Sequence, residues 1–185
     1  MELKSNLKLK NFKYLLLVIC YLLLFSCKVN YRFKGITIPP DAKSISIQMF
    51  KIADERANLT PAAEPQQLTL KLRDAVSTQT NLALLKQGGD LLFEECRIVS
   101  YSTVSQSIAA PTNGQDNAAL SRLTLTIKIN FVNKLDETKN FTDKEFSRYF
   151  DYPSNQNLSQ IEPAALEQIN RQLVEDIFNA AFNNW

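Results

Sequence analysis

The sequence predicts an α+β fold: a two-layer sandwich with two helices on one face of a mostly antiparallel sheet of about four strands. Three observations predict it. From Leu123 to Phe131 every second residue is apolar, with Arg122, Thr124, Thr126, Lys128 and Asn130 at the alternate positions. That is the period of a strand with one face in a core. Two other stretches, near residues 66–79 and 159–182, repeat their apolar residues at helical spacing. In chain order the elements read strand, helix, strands, hairpin, helix, which segregates helices from sheet.

The elements follow in turn. Pro39-Pro40 enforces an extended, non-helical lead-in. Between Lys43 and Phe50, alternation puts Ile45, Ile47 and Met49 on one face of a strand. Residues 51–65 are polar, carry Pro61 and Pro65, and read as a loop. From Gln66 to about Gln79, Leu68, Leu72, Ala75 and Val76 form one helical stripe. A short apolar run, Leu82–Leu85, precedes a turn at Gly88-Gly89-Asp90, and Leu91–Thr103 is a long strand. Residues 105–118 form a loop longer than compact domains usually tolerate without a use for it.

Leu120–Val132 is the clearest strand. It returns through Asn133–Asn140 into Phe141–Tyr152, where Phe146, Arg148, Phe150 and Tyr152 share a face. Ser159 and Glu162 have capping-box spacing, with Pro163 just behind. The final helix then lines up Leu166, Ile169, Leu173 and Ile177, a stripe that must be buried.

Ahead of this domain lies a leader. Lys4, Lys8, Lys10 and Lys13 precede an unbroken apolar run, Tyr14–Phe25, which ends at Ser26-Cys27. A basic segment, a short apolar segment and a small residue at the cut mark a secretory signal. About a dozen apolar residues fall short of the roughly 20 that a spanning helix needs. Leu24-Phe25-Ser26-Cys27 has the form of a lipobox, in which the cysteine after the cut receives lipid. Residues 1–26 are therefore expected to be a lipoprotein signal, and residues 27–185 a single exported domain. Lys28, Val29 and Asn30 place no acidic residue behind the cysteine, which favours the outer membrane facing the periplasm.

The leader also carries the basic excess. The chain has 21 Lys and Arg against 19 Asp and Glu, and the leader takes four of the lysines with Glu2. The remainder is close to neutral, which removes the case for a nucleic-acid partner. There is no histidine in the chain. Imidazole-dependent nucleophilic pairs and the common zinc sites are excluded with it. Gly88-Gly89 is a turn and not a phosphate loop. Glu94-Glu95, as neighbours on a strand, should point to opposite faces and so cannot act on one bond. Cys96 has no intramolecular partner once Cys20 leaves and Cys27 is acylated, so it is expected in the core. No enzyme activity and no cofactor is expected.

Several segments resemble a known family, the LPS-assembly lipoprotein LptE in a short divergent form. They are Cys27 with Tyr31-Arg-Phe-Lys-Gly35, Ile38–Ile47, Ala118–Phe131, Phe146-Ser-Arg-Tyr-Phe150, Gln156-Asn-Leu-Ser159 and Leu173–Trp185. Phe25 is bulkier than the family's usual lipobox residue. The resemblance implies a periplasm-facing outer-membrane lipoprotein that plugs an LptD-like β-barrel, helps it assemble, and assists passage of LPS to the cell surface. Its implied partners are that barrel, LPS, and outer-membrane lipid through the acylated Cys27. On this reading the contact candidates are Arg122 and Lys128 on the polar sheet face, then Arg148, then loop residues Pro111, Thr112, Asn113 and Gly114. The competing reading is a periplasmic lipoprotein that binds a lipid or another envelope protein, with these cations simply solvated.

The anchor can be tested directly. Each buried acyl CH₂ supplies about 0.8 kcal/mol of membrane affinity, so Cys27→Ser should leave the chain unprocessed or soluble. Palmitate labelling that persists in Cys27→Ser would disprove acylation at this position.

Overall fold

The computed structural model describes residues 38–106 and 119–183. Its strands are β1 (Ser44–Ile47), β2 (Lys51–Ile52), β3 (Ala83–Leu85), β4 (Leu91–Gln106), β5 (Leu120–Asn133) and β6 (Phe141–Pro153). Its helices are α1 (Glu64–Gln79) and α2 (Leu158–Phe182). The sheet runs β3-β1-β4-β5-β6, with β2 paired to β4 beyond the end of β1. β4, β5 and β6 form an antiparallel meander, whereas β1 lies parallel to both β3 and β4, and β2 parallel to β4. The α+β sandwich is as predicted, but the sheet is six-stranded and mixed, larger than the four expected. The two extra strands, β2 and β3, have two and three residues, all exposed. Elements that short leave no alternation to read.

β5 is buried on its apolar side as expected: Leu123, Leu125, Ile127 and Ile129 are wholly inaccessible, and Phe131 nearly so. α2 lays Leu166, Ile169, Leu173, Ile177 and Phe182 over that side, and α1 adds Leu68, Leu72 and Val76. Aromatic rings close one end of the core. Phe93 and Phe131 lie 5.0 Å apart between centroids, and Phe182 meets Phe131 edge-on at 5.9 Å. Such pairs add attraction beyond the area they bury. Cys96 joins this core, and burial pushes its thiol up to about 12. No helix among the described residues is long and apolar enough to cross a membrane.

β3 and β4, which flank β1 on either side and run parallel to it, are joined by only Lys86–Asp90, which turns with positive φ at Gly88 and Gly89. A Cβ on Gly89 would meet Ser44 Oγ at 3.3 Å and backbone atoms at 3.4 Å, so the close approach needs glycine. Asp90 Oδ2 then accepts from Lys43 N (2.9 Å), Ser44 N (3.0 Å) and Ser44 Oγ (2.9 Å). These bonds hold its carboxyl below the usual carboxylate range and fix the start of β1.

Two local expectations are corrected. Met49 is 52% exposed, because β1 ends at Ile47 and Phe50 turns into the core in its place. Asn157, not Ser159, caps α2: its Oδ1 accepts from Ser159 N at 3.1 Å and from Ser159 Oγ at 3.0 Å. Ser159 is thus already inside the helix, and Pro163 with it.

Leu173 sits at full burial on the stripe that joins α2 to the sheet. Leu173→Ala should cost about 2–5 kcal/mol through lost contacts and a residual cavity. Chemical denaturation that shows an unchanged midpoint would mean α2 is peripheral.

Candidate interaction face of the sheet

The helices cover one face of the β4–β5–β6 meander, and the other face is polar. β5 presents Arg122, Thr124, Thr126, Lys128 and Asn130 there, partly exposed except for Thr126, which is buried. Across from them β6 presents Asp151, Tyr149, Ser147 and Glu145, because the register pairs Arg122 with Asp151 and Lys128 with Glu145. On the other side β4 contributes Val104, Ser102, Ser100 and Arg97.

This register makes ion pairs. Arg122 grips Asp151 with two bonds, Nε–Oδ1 at 2.7 Å and Nη2–Oδ2 at 2.8 Å, and its guanidinium lies 3.7 Å from the Tyr149 ring centre. The Arg122 contact holds the Asp151 carboxyl below its ordinary range, and the same bond raises Arg122. Lys128 Nζ lies 3.6 Å from Glu145 Oε2, and Arg97 Nη2 bonds Asp143 Oδ1. Thr126 and Ser147 share a hydroxyl bond of 2.9 Å between the two outer pairs. Each exposed cross-strand pair is worth less than about 1 kcal/mol. Their larger effect is on the field of the face, since three cations meet three carboxylates.

The candidates named from sequence therefore separate. Arg122 and Lys128 share the polar face, but six residues along a strand sets them roughly 20 Å apart, too far to grip one anion. Arg148 lies on the helix side, where Nε and Nη2 bond the two carboxylate oxygens of Asp176 in α2, each at 2.5 Å. Cys27, Pro111, Thr112, Asn113 and Gly114 lie outside the described residues. The counter-ions Asp151 and Glu145 were missed by sequence reasoning. Counting outward from the hairpin ends, Asn133 and Asn140, would have found them.

Glu94 and Glu95 do not point to opposite faces. A bulge between Glu94 and Arg97, with Glu95 at φ 48°, leaves both carboxylates exposed. They line one open groove of about 520 Å³ with Gln48, Arg73 and Lys86. Glu95 N donates to Gln48 Oε1 at 2.7 Å, and Arg73 Nη2 donates to Ile47 O at 2.8 Å. A period-two reading cannot foresee a bulge. No group of three or more acidic or cysteine side chains among the described residues is placed to hold a metal ion.

The family model described as "LptE: Lipopolysaccharide-assembly" matches residues 42–181, which run from just before β1 almost to the end of α2. The chain belongs to the LptE family. Its role lies in lipopolysaccharide assembly, and the family is not one of enzymes. No curated protein matches the sequence. Among solved structures, it is similar to a minor lipoprotein from Acinetobacter baumannii, at 13% identity and a TM-score of 0.44, covering 77% of this chain and 97% of that one. Rare lipoprotein B from Shewanella oneidensis is 11% identical, with a TM-score of 0.37 over 72% and 90% of the two chains. A putative neuraminyllactose-binding hemagglutinin homolog from Helicobacter pylori is 11% identical, with a TM-score of 0.48 over 80% and 88%.

Beneath the face, this LptE chain keeps a buried polar cluster between its layers. Glu64 opens α1 at 1% exposure, Asn170 of α2 is fully buried, and neither Glu64 Oε1 nor the Asn170 amide atoms meet hydrogen-bond geometry. Burial pushes the Glu64 carboxyl up, with nearby Asn170 and Lys71 offsetting part of the effect. Alongside, Tyr101 of β4 donates to Glu162 of α2, and burial together with that bond raises the phenol.

A raised folded pKa means the folded state holds the Glu64 proton more tightly than the unfolded chain does. Its contribution is complete below the ordinary carboxyl range and falls as pH rises through the raised value. Glu64→Gln mimics the protonated form, so variant and wild type should melt together near pH 4. By pH 8 the variant should melt higher. A gap that stays constant with pH would show that Glu64 titrates normally.

Proposed function

We infer that this LptE-family chain is made with a cleaved signal over residues 1–26, acylated at Cys27, and held at the outer membrane facing the periplasm. There residues 27–185 act as one domain that plugs the lumen of an LptD-like β-barrel, aids its assembly, and helps LPS to the cell surface. The observation that carries this reading is the open polar sheet face in a chain of the LptE family. Both helices spend their apolar stripes on the opposite face, so this face is left for a partner. Its cations are half-exposed and already paired, which suits the polar inner wall of a barrel. A phosphate of LPS would have to displace Asp151 to gain the bidentate geometry that Arg122 offers. Arg122 and Lys128 thus dock against wall first and anionic lipid second, and Pro111–Gly114 extends the contact.

The lipid-carrier reading has less to stand on. The apolar cavity around Leu91, Phe131 and Phe182 measures about 200 Å³, below the roughly 300–1,000 Å³ of small-molecule sites. The larger groove of about 520 Å³ is open and lined by Arg73, Lys86, Glu94 and Glu95, a charged lining that does not suit an acyl chain.

Photo-crosslinkers at Thr112, Arg122 and Lys128 test the assignment against a control at Glu175, which is exposed on α2 in the other layer. The three should capture a barrel protein from detergent-solubilised outer membranes more efficiently than Glu175 does. Equal yields at all four positions would remove the sheet face as the docking surface.

A further inference from the structure

The described chain enters the domain at one end of the sheet. Ile38 and Pro40 share a cavity with Asn133 and Asp136 of the β5–β6 hairpin. At the tip of that hairpin Leu135 is 47% exposed, beside the exposed Lys134. The next carboxylate caps its own turn, as Asp136 Oδ1 accepts from Thr138 N at 3.1 Å and Thr138 Oγ1 at 2.5 Å, and Glu137 beyond it is exposed. An apolar side chain next to a lysine fits the boundary between lipid headgroups and acyl chains.

The tether sets the orientation. The sheet's far end is the turn after β6, where Ser154 N bonds Ala119 O at 2.8 Å and Asn155 is exposed. Pairing of β4 with β5 runs from Leu91–Asn133 to Gln106–Leu120, so the two ends stand roughly 45 Å apart along the strands. Residues 28–37 separate Cys27 from Ile38, and the eleven steps between those two reach at most about 40 Å. A domain resting on its Asn155 end would hold Ile38 beyond that reach.

We propose that, in the tethered domain before it docks in a barrel, the β5–β6 hairpin is the membrane-facing end, with Leu135 entering the headgroup layer of a phospholipid surface and Lys134 meeting lipid phosphates. The inference rests on acylation of Cys27. It is tested on the acylated full chain in vesicles of phosphatidylethanolamine and phosphatidylglycerol that contain a nitroxide-labelled lipid. A fluorophore is placed at Leu135→Cys, Lys134→Cys or Asn155→Cys, all exposed positions, while buried Cys96 stays unlabelled. Quenching at 135 and 134 should exceed that at 155 by at least about twofold, since only the first pair nears the lipid. Equal or stronger quenching at Asn155→Cys, in chain that floats with the vesicles, overturns the orientation and leaves the anchor standing. Chain that does not float overturns the anchor, and this inference with it.

Discussion

The domain depends on β5 having two unlike faces. Five apolar residues at alternate positions, Leu123 to Phe131, are removed from water only if a helix covers them, and α2 supplies the cover. At roughly 1.5–3 kcal/mol for each fully buried large side chain, this one contact outweighs every polar interaction in the domain. β4 and β6 then line up on either side of β5, and their registers follow from its alternation. A slip of one residue would turn the apolar set toward solvent. The polar face is therefore a consequence of core formation before it is anything functional.

That order of causes explains where the molecule tolerates irregularity. The bulge at Glu94–Arg97 lies toward one end of β4, where β1 gives way to β2 as the parallel neighbour. There the sheet has to accommodate two short strands with one long one, and the extra residue absorbs the mismatch. The short β3–β4 crossover imposes a second local demand, met by Gly89 and by the three bonds to Asp90. A second register shift lies between Ile98 and Ser100, opposite Ile127 and Thr126 in the middle of β5, and the alternation of β5 itself runs through it with Leu125, Ile127 and Ile129 still buried. Glu64 and Asn170 form a buried polar cluster between the layers, with the buried Tyr101 and the half-buried Glu162 beside it. It links β4 and both helices, so its protonation state bears on how the two layers hold together.

Much of this was legible in the sequence, for reasons that can be stated. Long elements with a strong period, β5 and α2, were read with their core residues because burial repeats along them many times. β2 and β3 were not, since strands of two and three exposed residues exist only by pairing with longer neighbours. Met49 was misplaced because alternation was carried past the true end of β1. Ser159 was mistaken for a cap because Asn157, two residues earlier, starts the helix sooner and accepts from the N–H of Ser159 itself. As for the site, the face of Arg122 and Lys128 was correctly derived, but their neutralisation was not. It needs the register of the hairpin, which pairs Arg122 with Asp151 and Lys128 with Glu145. Arg148 could be assigned to its side only by finding Asp176 across the layer gap.

The neutralised face bears on what kind of surface this LptE chain can offer. A site built to hold phosphate gathers cations and leaves them unpaired, so that binding releases counterions and adds charge-assisted bonds. Here the cations are spread along about 20 Å of β5, and each has its own carboxylate on the next strand. An incoming anion gains little, because every bond it makes to Arg122 replaces one already made by Asp151. A polar protein wall faces no such competition, since its hydroxyls and amides can bond the same groups without breaking the pairs. The face is therefore better matched to a partner of mixed, near-neutral polarity than to a polyanion.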